Sequence, residues 1–357
     1  MKEYISFDSH KHYTLAEKEN VKTGAIEQQR IEHRKGAIYQ YLKGRETGKV
    51  VAVEAIGNWY WIVDEIEKAG AKPLLVHPRK AKLMMGMINK TDKLDVHGLN
   101  RLQRNGTLPT VWIAPPELRD LRELTRVRMV MSRRRTDLKN RLSSIFSKYA
   151  LELEDYKDRY AKKARGAMEA QMKELPEQSA WSARVLLGEL DRVEICISEQ
   201  EKRVRKLIEE TPEMKLLMSS PGIGIILAAV IYLELGDIRR FATAEKLASY
   251  SGTTPRVHSS GGKTRMGSLR QDVNQYLKWA FAEAANSIAV NHLRCPDRHV
   301  SRLYKRLRNR KGHAKAVGAV ARHLAEAVFY ILSRKEPYRE PILGNLGRCK
   351  REKVMSP

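Results

Sequence analysis

The spacing of hydrophobic and polar positions changes twice along the chain. Over roughly the first 110 residues, short strand-like and helix-like segments alternate. Tyr4–Phe7 is a short apolar run ending at Asp8. Lys11–Glu17 follows a tight connection, and Ile26–Arg30 supplies a third strand before a helix over Arg34–Leu42. Lys49–Glu54 (KVVAVE) is β-branched and apolar, as a strand buried on both faces requires. Asn58 is placed to cap a helix running to Lys68, and Gly70 to end it. Pro73–Val76 is a further strand, and Ala81–Gln103 reads as mostly helical. Strands first and βα alternation afterwards predict a mixed α/β domain. No glycine-rich phosphate loop accompanies them, which weighs against dinucleotide and P-loop folds.

From Pro116 to Glu209 the pattern becomes that of long, charged helices. Leu186, Leu190, Val193, Ile197, Gln200, Val204 and Leu207 recur at alternating spacings of four and three, a heptad seam with one polar position. Its partner is either Leu118–Tyr149 of the same chain or a second subunit. A third zone starts near Met214. There Pro221-Gly222-Ile223-Gly224 precedes an apolar helix, Ile225–Leu235, and helices are predicted over Thr243–Tyr250, Asp272–Val290 and His313–Leu332. Ser251–Ser268, rich in Ser, Gly and Thr, reads as a loop. These zones predict an α/β domain over 1–110, a helical coiled-coil connector over 111–212, a mainly α domain over 213–340 and a basic tail over 341–357.

Charge narrows the function. The 357 residues carry 67 Lys and Arg against 42 Asp and Glu, a net charge of +25, which asks for a polyanionic partner, nucleic acid first. The excess is concentrated at 101–150, net +8, and 251–310, net +9. In the first of these, Arg122, Arg126, Arg128 and Arg133–Arg135 make either a solvated helix face or a phosphate-contacting one. Cys196, Cys295 and Cys349 are odd in number and far apart, so reduced thiols and a cytoplasmic, nucleoid-associated location are expected. The longest apolar run, Ile223–Leu233, is too short for the ~20 residues of a membrane span. The opening MKEYISFDSH has no signal-peptide core. Secreted, membrane-spanning and disulfide-framework classes are excluded.

Three groups of residues could carry chemistry. Asp8 and Glu54 end apolar strands, where an uncompensated carboxylate is costly, and Asp92 and Asp95 share one helical turn. Four converging acids would hold Mg²⁺ or Mn²⁺ and assist phosphoryl transfer, whereas scattered surface carboxylates are the plainer account. The Pro-Gly-Ile-Gly segment has the form of a helix-hairpin-helix turn, with Gly222 and Gly224 allowing a phosphate to approach free helix amides; an ordinary helix–helix turn fits the spacing equally. The segment Thr254–Arg265 combines small residues with Arg256, Lys263 and Arg265, suited to gripping phosphate, and with serines suited to act as a nucleophile. Composition alone favours a flexible connection there. His10 and His12 beside Asp8 read as solvated imidazoles at a strand edge, and Trp59, Tyr60 and Trp112 as core aromatics.

Asp-Ser-His-Lys at 8–11, Glu-Ala-Ile-Gly-Asn-Trp at 54–59 and Asn-Lys-Thr-Asp-Lys-Leu-Asp at 89–95 resemble the DEDD motifs of a group of insertion-sequence transposases. That group includes Piv-type invertases and bridge-RNA-guided recombinases. Pro-Gly-Ile-Gly at 221–224, Gly-Asp-Ile-Arg-Arg-Phe at 236–241 and Gly-Thr-Thr-Pro…Ser-Gly across 252–261 extend the likeness over nearly the whole chain. The departures, Ile56 and Leu94-Asp95-Val96, touch no acid.

The resemblance implies a RuvC-like (RNase H-type) N-terminal domain, a coiled-coil connector and a C-terminal transposase domain with a nucleophilic serine. Asp8, Glu54, Asp92 and Asp95 would bind Mg²⁺, and Ser260 would attack DNA through a phosphoserine link, with Ser259 the adjacent alternative. It further implies target and donor DNA, a structured guide (bridge) RNA, a dimer or a tetramer on DNA with a site composite between subunits, and no membrane. Two rivals remain. One is a Holliday-junction resolvase-like nuclease using the same acids with water as nucleophile. The other is a non-catalytic nucleic-acid-binding protein.

Overall fold

In the computed structural model, which describes residues 3–44, 49–86, 91–151, 156 and 158–341, the chain divides into two units, residues 1–114 and 115–357. The first is built on a five-stranded sheet. β1 (Glu3–Ser9), β2 (Tyr13–Asn20) and β3 (Ile26–Glu32) form an antiparallel meander, and β4 (Val50–Glu54) and β5 (Lys72–Val76) continue it parallel to β1. The strand order is β3-β2-β1-β4-β5.

Period-two alternation divides the strand side chains between two layers. Ile5, Phe7, Val51, Val53 and Leu75 face α1 (Ala37–Leu42) and α2 (Trp59–Lys68), packing on Ile38, Ile62, Val63 and Ile66. Ala52 and Val76 face α3 (Pro78–Met85) and α4 (Asp92–Arg104), packing on Ala81, Met85, Leu99 and Leu102. KVVAVE is therefore buried on both faces, as its apolar run predicts. The helix expected over Ala81–Gln103 is two helices, and the residues between them, 87–90, lie outside the described ones. Asn58 occupies the N-cap of α2, yet its side chain leaves the helix and its amide donates to His10 O at 2.9 Å.

In the second unit α5 (Pro116–Ser147) and α7 (Glu177–Glu209) are the long helices, with α6 (Arg165–Met172) between them in sequence. α7 returns antiparallel along α5, so the heptad seam finds its partner within the chain. Leu187 and Leu190 meet Leu142, Ile145 and Phe146 towards one end, and Val204 and Ile208 meet Leu118, Leu121 and Leu124 towards the other. This packing also engages α5 cations. Arg128 bonds Glu201 at 2.6 Å and Arg134 bonds Glu189 at 3.0 Å.

α8 (Pro212–Leu217) and α9 (Ile225–Leu235) follow, then α10 (Ala244–Tyr250), α11 (Gln275–Asn291), α12 (His299–Lys311) and α13 (His313–Arg334). α9 is apolar on all sides because neighbours cover it on all sides. Its one acid, Glu234, is fully buried and compensated: Arg126 approaches it with two nitrogens at 2.7 and 3.1 Å, and Asn274 donates at 2.8 Å. Arg122 donates to the carbonyls of Leu233 and Glu234 at 2.8 and 2.9 Å. Arg122, Arg126, Arg128 and Arg134 thus bind their own protein, a role that neither alternative for this run, a solvated face or a phosphate-contacting one, contained.

Three further expectations change. Ser251–Ser268 contains an antiparallel hairpin, β6 (Pro255–Ser260) and β7 (Lys263–Leu269). Small polar residues disguised its strands, but Gly261 and Gly262, with φ of +54° and +74°, make the two-residue turn that suits twisted strands. α12 was not anticipated, because its apolar positions are few among its cations. α13 has the length and apolarity of a membrane span, but half of its most apolar stretch is buried. It packs on α10, α11 and α12 as a core helix.

Gly222 packs where α11 passes closest to the α8–α9 turn. At φ +77°, an added Cβ would lie 2.4 Å from Ala284 O. Gly222→Ala is expected to cost ~2–4 kcal/mol in denaturant unfolding. Gly224→Ala, with no atom within 4 Å of the added carbon, is expected to cost under ~1 kcal/mol.

Candidate catalytic centre and nucleic-acid surface

Phe7 of β1 pairs with Val53 of β4, so Asp8 and Glu54 follow side by side at the C-terminal ends of two parallel strands. By alternation both turn towards the layer of α4. Polar bonds fix α4 against the sheet. Ser6 Oγ donates to Val96 O at 2.9 Å, Gln103 Nε2 to Val50 O at 3.0 Å, and Arg104 reaches the buried Glu19 at 2.7 Å. His97 Nδ1 lies 3.0 Å from Oε1 of the fully buried Glu17. Thr91 caps the helix by accepting from Leu94 N, which leaves Asp92 and Asp95 in its first turn.

The result is a focused cluster. Donor atoms of Asp8, His10 and Asp92 all lie within 4.8 Å of one another. His10 Nε2 is 3.2 Å from Asp8 Oδ2 and 3.3 Å from Asp92 Oδ2. Neither Asp8 Oδ2 nor His10 Nε2 makes an aligned hydrogen bond, although both atoms are buried. Tyr13 Oη donates to Asp92 Oδ2 at 2.6 Å, which raises the Tyr13 hydroxyl above its usual pKa. Burial pushes the Asp8 carboxyl up to about 6; His10 opposes that rise, and Asp95 and then Asp92 add to it. Glu54 and Asp95 stand outside the tight triad, Glu54 on the adjoining strand and Asp95 near enough for its charge to act on Asp8.

A buried carboxylate oxygen without a hydrogen bond, beside a second carboxylate, fits a divalent cation. Asp8 and Asp92 would hold it, with Glu54 and Asp95 at its margin. His10 belongs to the cluster, contrary to its reading as a solvated imidazole. Its ring rests on Tyr13 at 4.6 Å between centroids, and Asn58 holds its carbonyl. The motif spacing gave no sign of this, because Asn58 is 48 residues away in sequence.

The serine segment lies in the other unit. Ser260 pairs with Lys263, Ser259 with Thr264, His258 with Arg265 and Val257 with Met266. Alternation gives the hairpin two unlike faces. Arg256, His258, Ser260, Lys263 and Arg265 share one, and Val257, Ser259, Thr264 and Met266 share the other. The strands are exposed almost throughout. Ser259 Oγ lies 3.4 Å from Thr264 Oγ1, on the face away from the cations.

Gly222 is packed against α11, so its glycine identity has a structural cause. Gly224 is the exposed N-cap residue of α9. A second basic surface escaped the sequence reading. α12 (HVSRLYKRLRNRK) contains no acid, and Arg302, Lys305, Arg306, Arg308, Arg310 and Lys311 are exposed along it. The +9 excess over 251–310 was the signal, but helix and face were not separable from it.

Residues 5–150 match a DEDD-type transposase family described as "Transposase". Residues 214–304 match one described as "Transposase IS116/IS110/IS902 family". The chain is a transposase of the IS110/IS116 family. Its relatives include a "Probable family 20 transposase" of Pseudomonas aeruginosa, 26% identical over 81% of this chain and 86% of the relative. Another is the "Transposase for insertion sequence element IS1111A" of Coxiella burnetii, 25% identical over 81% of this chain and 79% of its own length. The "Pilin gene-inverting protein" of Moraxella bovis is 25% identical over 41% of this chain and 46% of its own. The transposase is thus an enzyme acting on DNA, and its DEDD domain points to divalent-metal use.

Two outcomes follow for the transposase. Because Asp8 titrates higher in the folded than in the unfolded chain, stability without metal falls as pH rises from about 4 to about 6. Asp8→Asn removes this loss, so the metal-free variant is expected to melt a few degrees above the parent at pH 7 and to lose any Mg²⁺-induced gain, measured by calorimetry. Replacing Arg306 and Arg310 by Glu is expected to weaken DNA binding ~10-fold or more at ~0.1 M salt and to flatten its salt slope by about two, measured by anisotropy across salt concentrations.

Proposed function

We propose that this transposase cuts and rejoins DNA through a covalent phosphoserine intermediate formed by Ser260, assisted by a divalent cation held by Asp8, Glu54, Asp92 and Asp95. The observation that carries the reading is the unlike pair of hairpin faces. Ser260 shares one with Arg256, His258, Lys263 and Arg265, whereas Ser259 is on the other beside Thr264. A nucleophile for a phosphodiester needs cations around it to draw in the phosphate and offset the charge that develops during attack. Only the Ser260 face supplies them.

Ser260 Oγ attacks phosphorus, loses its proton and forms a phosphoester, while one strand end departs as a hydroxyl that takes up a proton. Attack by a strand-end hydroxyl on that ester reverses these bonds, restoring the serine and joining DNA without external energy. Arg256, Lys263 and Arg265 hold the phosphate oxygens in both directions. A cation bound at the acids supplies Lewis-acid neutralisation of phosphoryl charge. Asp8 and Asp92 would position it, and Tyr13 holds the second carboxylate in place.

In the same reading the N-terminal unit is RuvC-like, a fit supported by its mixed sheet with acids at the ends of parallel strands. The exposed cations of α12 bind nucleic-acid backbone, and Gly224 offers free α9 amides to a further phosphate. A structured guide RNA selecting target and donor, and action as a dimer or tetramer, rest on the family resemblance, and the charge of +25 accommodates both polyanions. The nuclease reading, with water as nucleophile, is favoured by the exposure of Ser260.

Denaturing gels of reactions on labelled element ends separate the two. A protein–DNA adduct is expected with the parent and with Ser259→Ala, and its loss, with a ~100-fold or greater drop in strand exchange, with Ser260→Ala. Cleavage that survives Ser260→Ala sinks the covalent route and leaves the nuclease.

A further inference from the structure

The acids of the motif are all oxygen donors, yet a nitrogen stands between the two central carboxylates, close to both. His10 Nε2 is 3.2 Å from Asp8 Oδ2 and 3.3 Å from Asp92 Oδ2. Those distances bring all three donor atoms within the span of one coordination sphere. The ring is not there by default. Its backbone N–H donates to Tyr13 O at 2.8 Å, its carbonyl accepts from Asn58 at 2.9 Å, and its face rests on Tyr13, whose hydroxyl holds Asp92. A side chain constrained at both ends of its backbone and along its ring is pre-set for one position. There its Nε2 and the nearest carboxylate oxygen both lack an aligned hydrogen bond.

We propose that His10 is a direct metal ligand, and that the centre is a mixed nitrogen–oxygen site that favours Mn²⁺ over Mg²⁺. This rests on reading the acid cluster as a metal centre and adds a residue that the four-acid motif does not contain. Mg²⁺ prefers an all-oxygen shell with several waters, whereas imidazole binds later divalent ions such as Mn²⁺ more readily. Substituting one oxygen donor by nitrogen therefore tilts the choice of ion without changing the two carboxylates that carry most of the charge. The competing role for His10 is that of an imidazolium counter-ion, which would neutralise the acids and be displaced when a cation enters.

Pulsed EPR of the full chain, stripped of metal and loaded with Mn²⁺, distinguishes these roles without any activity measurement. The parent is expected to show ¹⁴N modulation from a coordinated imidazole. His10→Ala is expected to bind Mn²⁺ without that modulation, and its Mn²⁺ to Mg²⁺ affinity ratio, from competition titration, is expected to fall on the order of tenfold. Mn²⁺ bound to the parent without ¹⁴N coupling overturns the histidine ligand and leaves the acid centre standing. A parent chain that binds no Mn²⁺ overturns both. Because the decisive spectrum is that of the parent, a folding defect in the variant cannot mask the result.

Discussion

An ionised carboxylate at the dry end of a buried strand is the constraint around which the N-terminal unit is organised. Asp8 sits at 5% exposure beyond Ile5 and Phe7, both fully buried, with two further acids delivered beside it by α4. Water cannot solvate it, and each neighbouring aspartate makes its charge costlier. A chain free to optimise stability alone would place an apolar residue there. Retaining the acid leaves a standing demand for positive charge, which a bound cation would meet. The polar bonds from Ser6, Glu17, Glu19 and Val50 to α4 make sense in this light, because they hold Asp92 and Asp95 against a repulsion that would otherwise push the helix end away.

The C-terminal unit solves a different problem. It combines an exposed hairpin with a core centred on the apolar α9 and the buried Glu234. Two arginines from α5 and Asn274 at the start of α11 converge on α9 at Glu234, so one buried acid ties three helices together. Removing Arg126 would take away the two-nitrogen approach that does most to compensate the buried charge. The hairpin that follows this base carries its cations and Ser260 on one side only, a separation that flexible chain could not maintain. In the proposed covalent route an ester would have to persist until the new strand arrives, and a defined face suits that better than an irregular loop.

The two relatives matched over most of their length carry transposase names, which agrees with the charge and with the order of motifs along this chain. Family membership identifies an enzyme acting on DNA. It does not supply the geometry that separates Ser260 from Ser259 or that brings His10 to the acids. Those distinctions come from strand register and from a turn, features that motif spacing does not encode.

Much of the architecture was legible in the pattern of residues. KVVAVE, the helix after Asn58, the apolar helix Ile225–Leu235 and the heptad of α7 were all readable because each expresses a local period that burial imposes directly on side chains. The four candidate acids stood out for two reasons: Asp8 and Glu54 end apolar runs, and Asp92 and Asp95 share one helical turn. The sequence left open whether the heptad would pair within the chain, since a seam specifies apolar contact but not its owner. It misrepresented the hairpin as a loop, because serine, glycine and threonine report exposure more than conformation. It left the cations on α5 either solvated or phosphate-contacting, when folding had committed several of them to Glu234, Glu201 and Glu189, acids 55 to 108 residues away. Local periodicity determined the elements; only tertiary packing decided which charges were consumed internally and which stayed exposed, because pairing depends on separation in space and not along the chain.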